Sequence, residues 1–122
     1  MADWKVVLVD DEEEFVTTLA ERLDLRGIDV QIATNGERAL QIIENDSPDI
    51  VVLDVMMPGL GGLEVLQRIK AINSQISVIL LTGHGSTEQE IETMLESAYD
   101  YLMKPLNIDK LIKKMQEAIN SR

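Results

Sequence analysis

The sequence predicts a doubly wound α/β fold, with a five-stranded parallel sheet and five helices on its two faces. Three observations carry this prediction. Short β-branched apolar runs alternate with helix-period segments from one end of the chain to the other. The first and third runs are apolar at every position, as strands buried on both faces require. Five strands alternating with five helices read as successive βαβ units.

The elements follow in order. Val6–Val9 is the first strand. A helix follows, with Phe15, Leu19 and Leu23 at i, i+4 and i+8 and Gly27 where a helix C-terminus favours it. Val30–Ala33 is the second strand, and the next helix carries Ala39, Leu40 and Ile43 before the breaker Asn45-Asp46-Ser47-Pro48. Ile50–Leu53 is the third strand, followed by a helix with Val65, Leu66, Ile69 and Ile72. Ile76–Leu81 is the fourth strand, and after Gly83–Gly85 comes a helix with Ile91, Met94 and Leu95. Tyr99–Met103 is the fifth strand. The last helix, capped by Asn107, presents Ile108, Leu111, Ile112, Met115 and Ile119. Right-handed crossovers leave few orders, of which 2-1-3-4-5, the flavodoxin-like one, is the commonest for five strands.

At 122 residues the chain fits one domain with a sizeable core, spanning residues 1–122. Its 45% apolar and 27% charged composition is ordinary for a globular fold. No apolar stretch approaches the roughly 20 residues of a membrane span. The N-terminal residues lack the basic region and apolar core of a signal peptide, so a cytoplasmic location is expected. The absence of cysteine excludes disulfides and thiolate metal sites. A net charge of −11 sets the chain against nucleic acid and anionic lipid as direct partners.

Where the strands end is where the chemistry lies. Ile50-Val51-Val52-Leu53 ends in Asp54, and Val6-Val7-Leu8-Val9 ends in Asp10-Asp11. In order 2-1-3-4-5 these strands are neighbours at the switch point, where ligands bind beyond the carboxyl ends. Thr82 and Lys104 end the fourth and fifth strands at the same edge. At an effective dielectric of about 20, two carboxylates about 4–5 Å apart repel by roughly 3–4 kcal/mol, so three need a cation or a raised pKa. Carboxylates without His or Cys favour a hard ion such as Mg²⁺, which typically keeps waters and a phosphate among its ligands. Lys104 could neutralise a phosphoryl oxygen and the Thr82 hydroxyl could donate to another. Asp54, standing singly and facing both, is the candidate nucleophile for an aspartyl-phosphate. Each piece also has a plain reading: Asp10-Asp11-Glu12-Glu13-Glu14 as a charged first helical turn, Lys104-Pro105 as a turn, Thr82 as a loop hydroxyl and Asp54 as a turn-former. Their meeting at the ends of four strands favours a site.

The chain resembles the receiver domain of two-component response regulators over nearly its whole length. The matching residues are Leu8-Val9-Asp10-Asp11, Val52 to Gly59, Gly62, Leu81-Thr82-Gly83, and Ala98 to Pro105. The resemblance implies that Asp54 is the phosphoacceptor, charged by a sensor histidine kinase or a phosphotransfer protein. It implies that Asp11 binds Mg²⁺ directly, Asp10 mainly through water, and Met56 through its backbone carbonyl. Lys104 would pair with the phosphoryl group, and Thr82 and Tyr101 would move with it. The altered surface would be the fourth helix, fifth strand and fifth helix, including Ile91, Met94, Tyr101 and Ile108, read by a target protein or a second copy of the chain. Lys104-Pro105 would be cis, and Gly62 and Gly83 would serve close backbone approach or permissive turns. Met56 and His84 stand where the family varies residues that tune phosphoryl lifetime, although an exposed loop residue is the simpler reading of His84. Ser97 departs from a frequent Gly, and a positive φ there would strain it.

Three other functions compete. A Mg²⁺-dependent phosphohydrolase with an aspartyl intermediate usually wants an acid/base carboxylate two residues past the nucleophile, where this chain has Met56. A flavin or nucleotide carrier needs a Gly/Ser/Thr-rich loop after the first strand, where this chain has five acidic residues. A receiver-like module that binds without phosphorylation would not need the full set of Asp10, Asp11, Asp54, Thr82 and Lys104. The expectation is therefore a phosphoacceptor switch rather than an enzyme.

Overall fold

The computed structural model describes residues 4–83 and 85–122. Its strands are β1 (Lys5–Val9), β2 (Asp29–Ala33), β3 (Ile50–Asp54), β4 (Ser77–Thr82) and β5 (Asp100–Met103). Its helices are α1 (Glu13–Asp24), α2 (Gly36–Asn45), α3 (Gly62–Ile72), α4 (Glu88–Leu95) and α5 (Ile108–Asn120). All pairings are parallel and the order is β2-β1-β3-β4-β5, as the alternation predicts.

The strand period of two divides the core into two layers. Val7, Val9, Val51, Leu53, Val78 and Leu80 face α2 and α3, where Ile43, Val65, Leu66 and Ile69 are fully buried. Val6, Leu8, Ile50, Val52, Ile79 and Leu81 face α1 and α5, packing on Val16, Leu19, Leu23, Leu111 and Met115. Each such side chain contributes roughly 1.5–3 kcal/mol by leaving water. Both faces of β3 and β4 are covered, which explains why those strands show no polar alternation.

Helix ends follow local chemistry. The Asn107 side chain accepts the Lys110 amide at 3.1 Å and starts α5, as expected. Thr87 and Glu90 form a reciprocal capping box at α4. Gly27, with φ of 80°, turns the chain out of α1.

Some details depart from the sequence reading. Ile76 is buried but precedes β4, because its amide donates to Asn73 and its carbonyl accepts from Lys70 Nζ at 2.6 Å. Tyr99 likewise precedes β5. Among the described residues no non-glycine has positive φ, so Ser97 carries no left-handed strain. Gly62 does sit where a backbone comes close, since a Cβ there would lie 3.2 Å from Val55 Cα and O. Gly83 has neither positive φ nor a close neighbour, so the expectation of a steric need for glycine there is corrected.

Candidate functional site

The register puts the site together. Val9 pairs with Leu53, so Asp10 and Asp54 leave adjacent strands at the same level. Asp54 is the last paired residue of β3, opposite Leu81, and Thr82 follows at the end of β4. Thr82 pairs with Met103, and its carbonyl accepts the Lys104 amide at 2.8 Å, so Lys104 emerges beside them. The Lys104–Pro105 bond is cis.

Asp10 and Asp54 are 1% and 5% exposed, which is unusual for carboxylates. Each folds back on the chain in the same way. Asp10 Oδ1 accepts the Glu12 amide at 2.9 Å, and Asp54 Oδ1 accepts the Met56 amide at 3.0 Å. The two Oδ2 atoms turn towards Lys104 Nζ, at 2.8 Å and 3.6 Å. Asp10 Oδ2 receives charge there but no well-aligned hydrogen bond. Lys104 also pairs with Glu12 Oε1 and lies 4.6 Å over the Phe15 ring.

Carboxylate oxygens of Asp10, Glu12 and Asp54 all lie within 4.8 Å of one another. Three carboxylates thus share one ammonium. Burial pushes the Asp54 carboxyl above its ordinary pKa. Asp10 and Asp11 add to the rise, while the Met56 amide and Lys104 oppose it. Burial alone would lower the pKa of Lys104. Its close ion pair with Asp10, its hydrogen bond to Glu12 and the field of Asp54 outweigh that and hold it above the usual lysine range.

The sequence-derived residues are distributed as follows. Asp10, Asp54, Thr82 and Lys104 meet in one place. Asp11 is exposed and lies outside the closest group of oxygens, where Glu12 stands instead, although its charge still reaches Asp54. Met56 is half exposed, and its methyl lies against Gly85. Tyr101 is 39% exposed and shares a cleft of 410 Å³ with Thr82, Ile91, Leu95 and Met103. His84 lies outside the described residues. Glu12 and Phe15 were not singled out from sequence as site residues. Their signal was weak: Glu12 continues the period of two from Asp10 through extended backbone, one step past the strand.

An all-oxygen donor set, with one buried oxygen short of an aligned partner, fits a hard divalent cation such as Mg²⁺. The fold and site together define a doubly wound module with an acidic, lysine-braced cleft at its switch point. The chain belongs to the response regulator receiver domain family, whose sequence profile matches residues 6–116. It is 35% identical over 112 residues to the response regulator MprA of Mycolicibacterium vanbaalenii, covering 92% of this chain and 48% of that protein. It is 37% identical over 114 residues to the uncharacterized transcriptional regulatory protein YkoG of Bacillus subtilis, covering 93% and 50%. The chain spans about half the length of these relatives. A receiver domain from Clostridium thermocellum superposes with a TM-score of 0.89 at 34% identity, covering 97% of this chain and 95% of that one. The receiver domain of the Francisella response regulator 1452 gives 0.86 at 33% identity, covering 98% of each. This is a receiver domain of two-component signalling.

Proposed function

We propose that residues 1–122 form one receiver module that accepts a phosphoryl group on Asp54 and holds it as a signal. The observation that carries this is the placement of Asp54: buried at a strand end, with one oxygen fixed by the Met56 amide and the other facing Lys104 at 3.6 Å.

In the transfer, an Asp54 oxygen attacks phosphorus. The P–N bond of a phosphohistidine donor, or the P–O bond of a small acyl phosphate, breaks, and the leaving group departs with the bonding pair. The Met56 amide keeps the carboxylate from rotating away, so little ordering remains for the transition state. Lys104, 3.6 Å from Asp54, would neutralise a phosphoryl oxygen, and the Thr82 hydroxyl, buried at the end of β4, would donate to another. Asp10, Asp11, Asp54 and the Met56 carbonyl would hold Mg²⁺. Bound there, the ion would screen the carboxylates and polarise the phosphoryl oxygens. Met56 brings no carboxylate to activate water, which favours retention of the phosphoryl group over turnover.

The cleft between Thr82 and Tyr101 supports a switch in which Thr82 turns to the phosphoryl group and the ring follows. A histidine kinase or phosphotransfer protein would be the donor. A protein target or a second copy would read α4, β5 and α5. An acidic chain of −11 is unsuited to contacting nucleic acid itself, and the cytoplasm is the compartment where such a donor would be met.

Acetyl phosphate with Mg²⁺ should add one phosphoryl group to the intact mass, and Asp54→Ala should stay unlabelled. Chelation of Mg²⁺ should abolish the reaction. Acetate release should stop after one equivalent per chain, with the phosphoryl group kept on the protein, rather than continue alongside a steady release of phosphate. Labelling that persists in Asp54→Ala would refute the assignment.

A further inference from the structure

The geometry points to Glu12 as a positioning residue that holds Lys104 beside the phosphoacceptor, with Phe15 as the other half of the cradle. This rests on the reading of Asp54 as the phosphoacceptor and adds a residue to that reaction.

Glu12 occupies the N-cap position of α1, where a short side chain normally accepts the amides of the first turn. Its side chain makes no cap bond. It instead reaches Lys104 Nζ, across 92 positions of sequence. The Glu12 amide meanwhile fixes Asp10 Oδ1. One turn further along, the Phe15 ring faces the same ammonium at 4.6 Å. The opening turn of α1 therefore spends its side chains on a lysine that follows β5.

Charge explains why this matters. Lys104 lies between Asp10 and Asp54, and a divalent cation drawn to those two carboxylates would repel the ammonium. Glu12 is different from both, because its side chain is 62% exposed and free to move with the lysine, whereas Asp10 and Asp54 are buried and tied. A lysine displaced from Asp10 keeps Glu12 as an anchor and Phe15 as a floor, and so stays within reach of Asp54. Without the anchor, its four-carbon stem would swing into solvent. Reach is therefore the property required, as well as charge.

The test compares wild type, Glu12→Gln and Glu12→Asp. The aspartate keeps the charge but is one methylene short. Acetyl phosphate labelling is followed at saturating Mg²⁺, and Mg²⁺ affinity is read from the Met56 amide shift. The side-chain ammonium resonance of Lys104, assigned by its loss in Lys104→Arg, is recorded at saturating Mg²⁺, where the lysine no longer rests on Asp10. Both variants should label roughly three- to tenfold more slowly, with Mg²⁺ affinity changed less than the rate, and both should lose the sheltered ammonium resonance. Three outcomes would each overturn the proposal: a wild-type rate in Glu12→Asp, a change in Mg²⁺ affinity alone, or an ammonium signal that survives Glu12→Gln. If wild type itself does not label, the phosphoacceptor reading fails instead, and the ammonium resonance still decides whether Glu12 holds Lys104.

Discussion

The two ends of the sheet use the same residue types to opposite effect. At the amino ends of the strands, Lys5 pairs with Asp46 at 3.0 Å and Arg122 with Asp49 at 3.0 Å, one cation to each carboxylate, the first pair about half exposed and the second about one-third exposed. At the carboxyl ends, Asp10 and Asp54 are buried and share Lys104 with Glu12. Hydrated, balanced pairs contribute little because water already solvates both partners. Buried, unbalanced ones leave charge without full compensation. An excess of buried carboxylate at one end, in a molecule able to balance its charges at the other, marks where a ligand is expected.

Removing the cation should separate the two ends most. Lys104→Met should cost about 3 kcal/mol in urea melts without divalent cations, since it strands two buried carboxylates. Arg122→Met should cost about 0–1 kcal/mol. Because the folded pKa of Lys104 is raised, its contribution is complete below the unfolded value of 10.5 and is lost only as pH climbs through the folded one. Equal losses in the two variants would end the comparison.

Supplying a cation should act at one end only. Mg²⁺ at a hundredfold excess over its dissociation constant should stabilise wild type by about 2.7 kcal/mol. Asp54→Asn should respond far less, while Asp49→Asn should respond like wild type. Thermal melts with and without Mg²⁺ make the measurement.

The smallest effect concerns Asp54 itself. Its folded pKa is raised, so its contribution to stability is best below the unfolded value of 3.8 and falls as pH rises through the folded value. Metal-free Asp54→Asn should therefore be more stable than wild type at pH 7, by about 1 kcal/mol or roughly 3–6 °C. The gain should disappear on acidification. Urea melts at several pH values would show it, and a gain independent of pH would point to hydrogen bonding rather than charge.

The same contrast accounts for what could be read in advance. β1, β3 and β4 were legible because burial on both faces leaves nearly continuous apolar runs, and these runs lead to Asp10, Asp54 and Thr82. Strand order, and with it the meeting of Asp10, Asp54, Thr82 and Lys104, followed from crossover handedness. Glu12 and Phe15 were not legible as site residues. Locally, Glu12 reads as one acid among five, and Phe15 as the first position of a core stripe. Their partner is Lys104, and only the folded chain brings the opening turn of α1 against the end of β5. Gly83 misled for the opposite reason, since its surroundings leave room for a side chain that the motif omits.

The manner in which α4 is held has a consequence for the timing of motion. Met94 is its one fully buried residue, and a capping box of exposed side chains starts it. Helices such as α2 and α5 drive several apolar residues into the core. Opening α4 would expose little surface, so its free energy of opening falls well below that of the whole domain. In deuterium exchange its amides should be replaced before those of α2 and α5. The segment most easily loosened thus lines the cleft shared by Thr82 and Tyr101, while the sheet beneath stays closed.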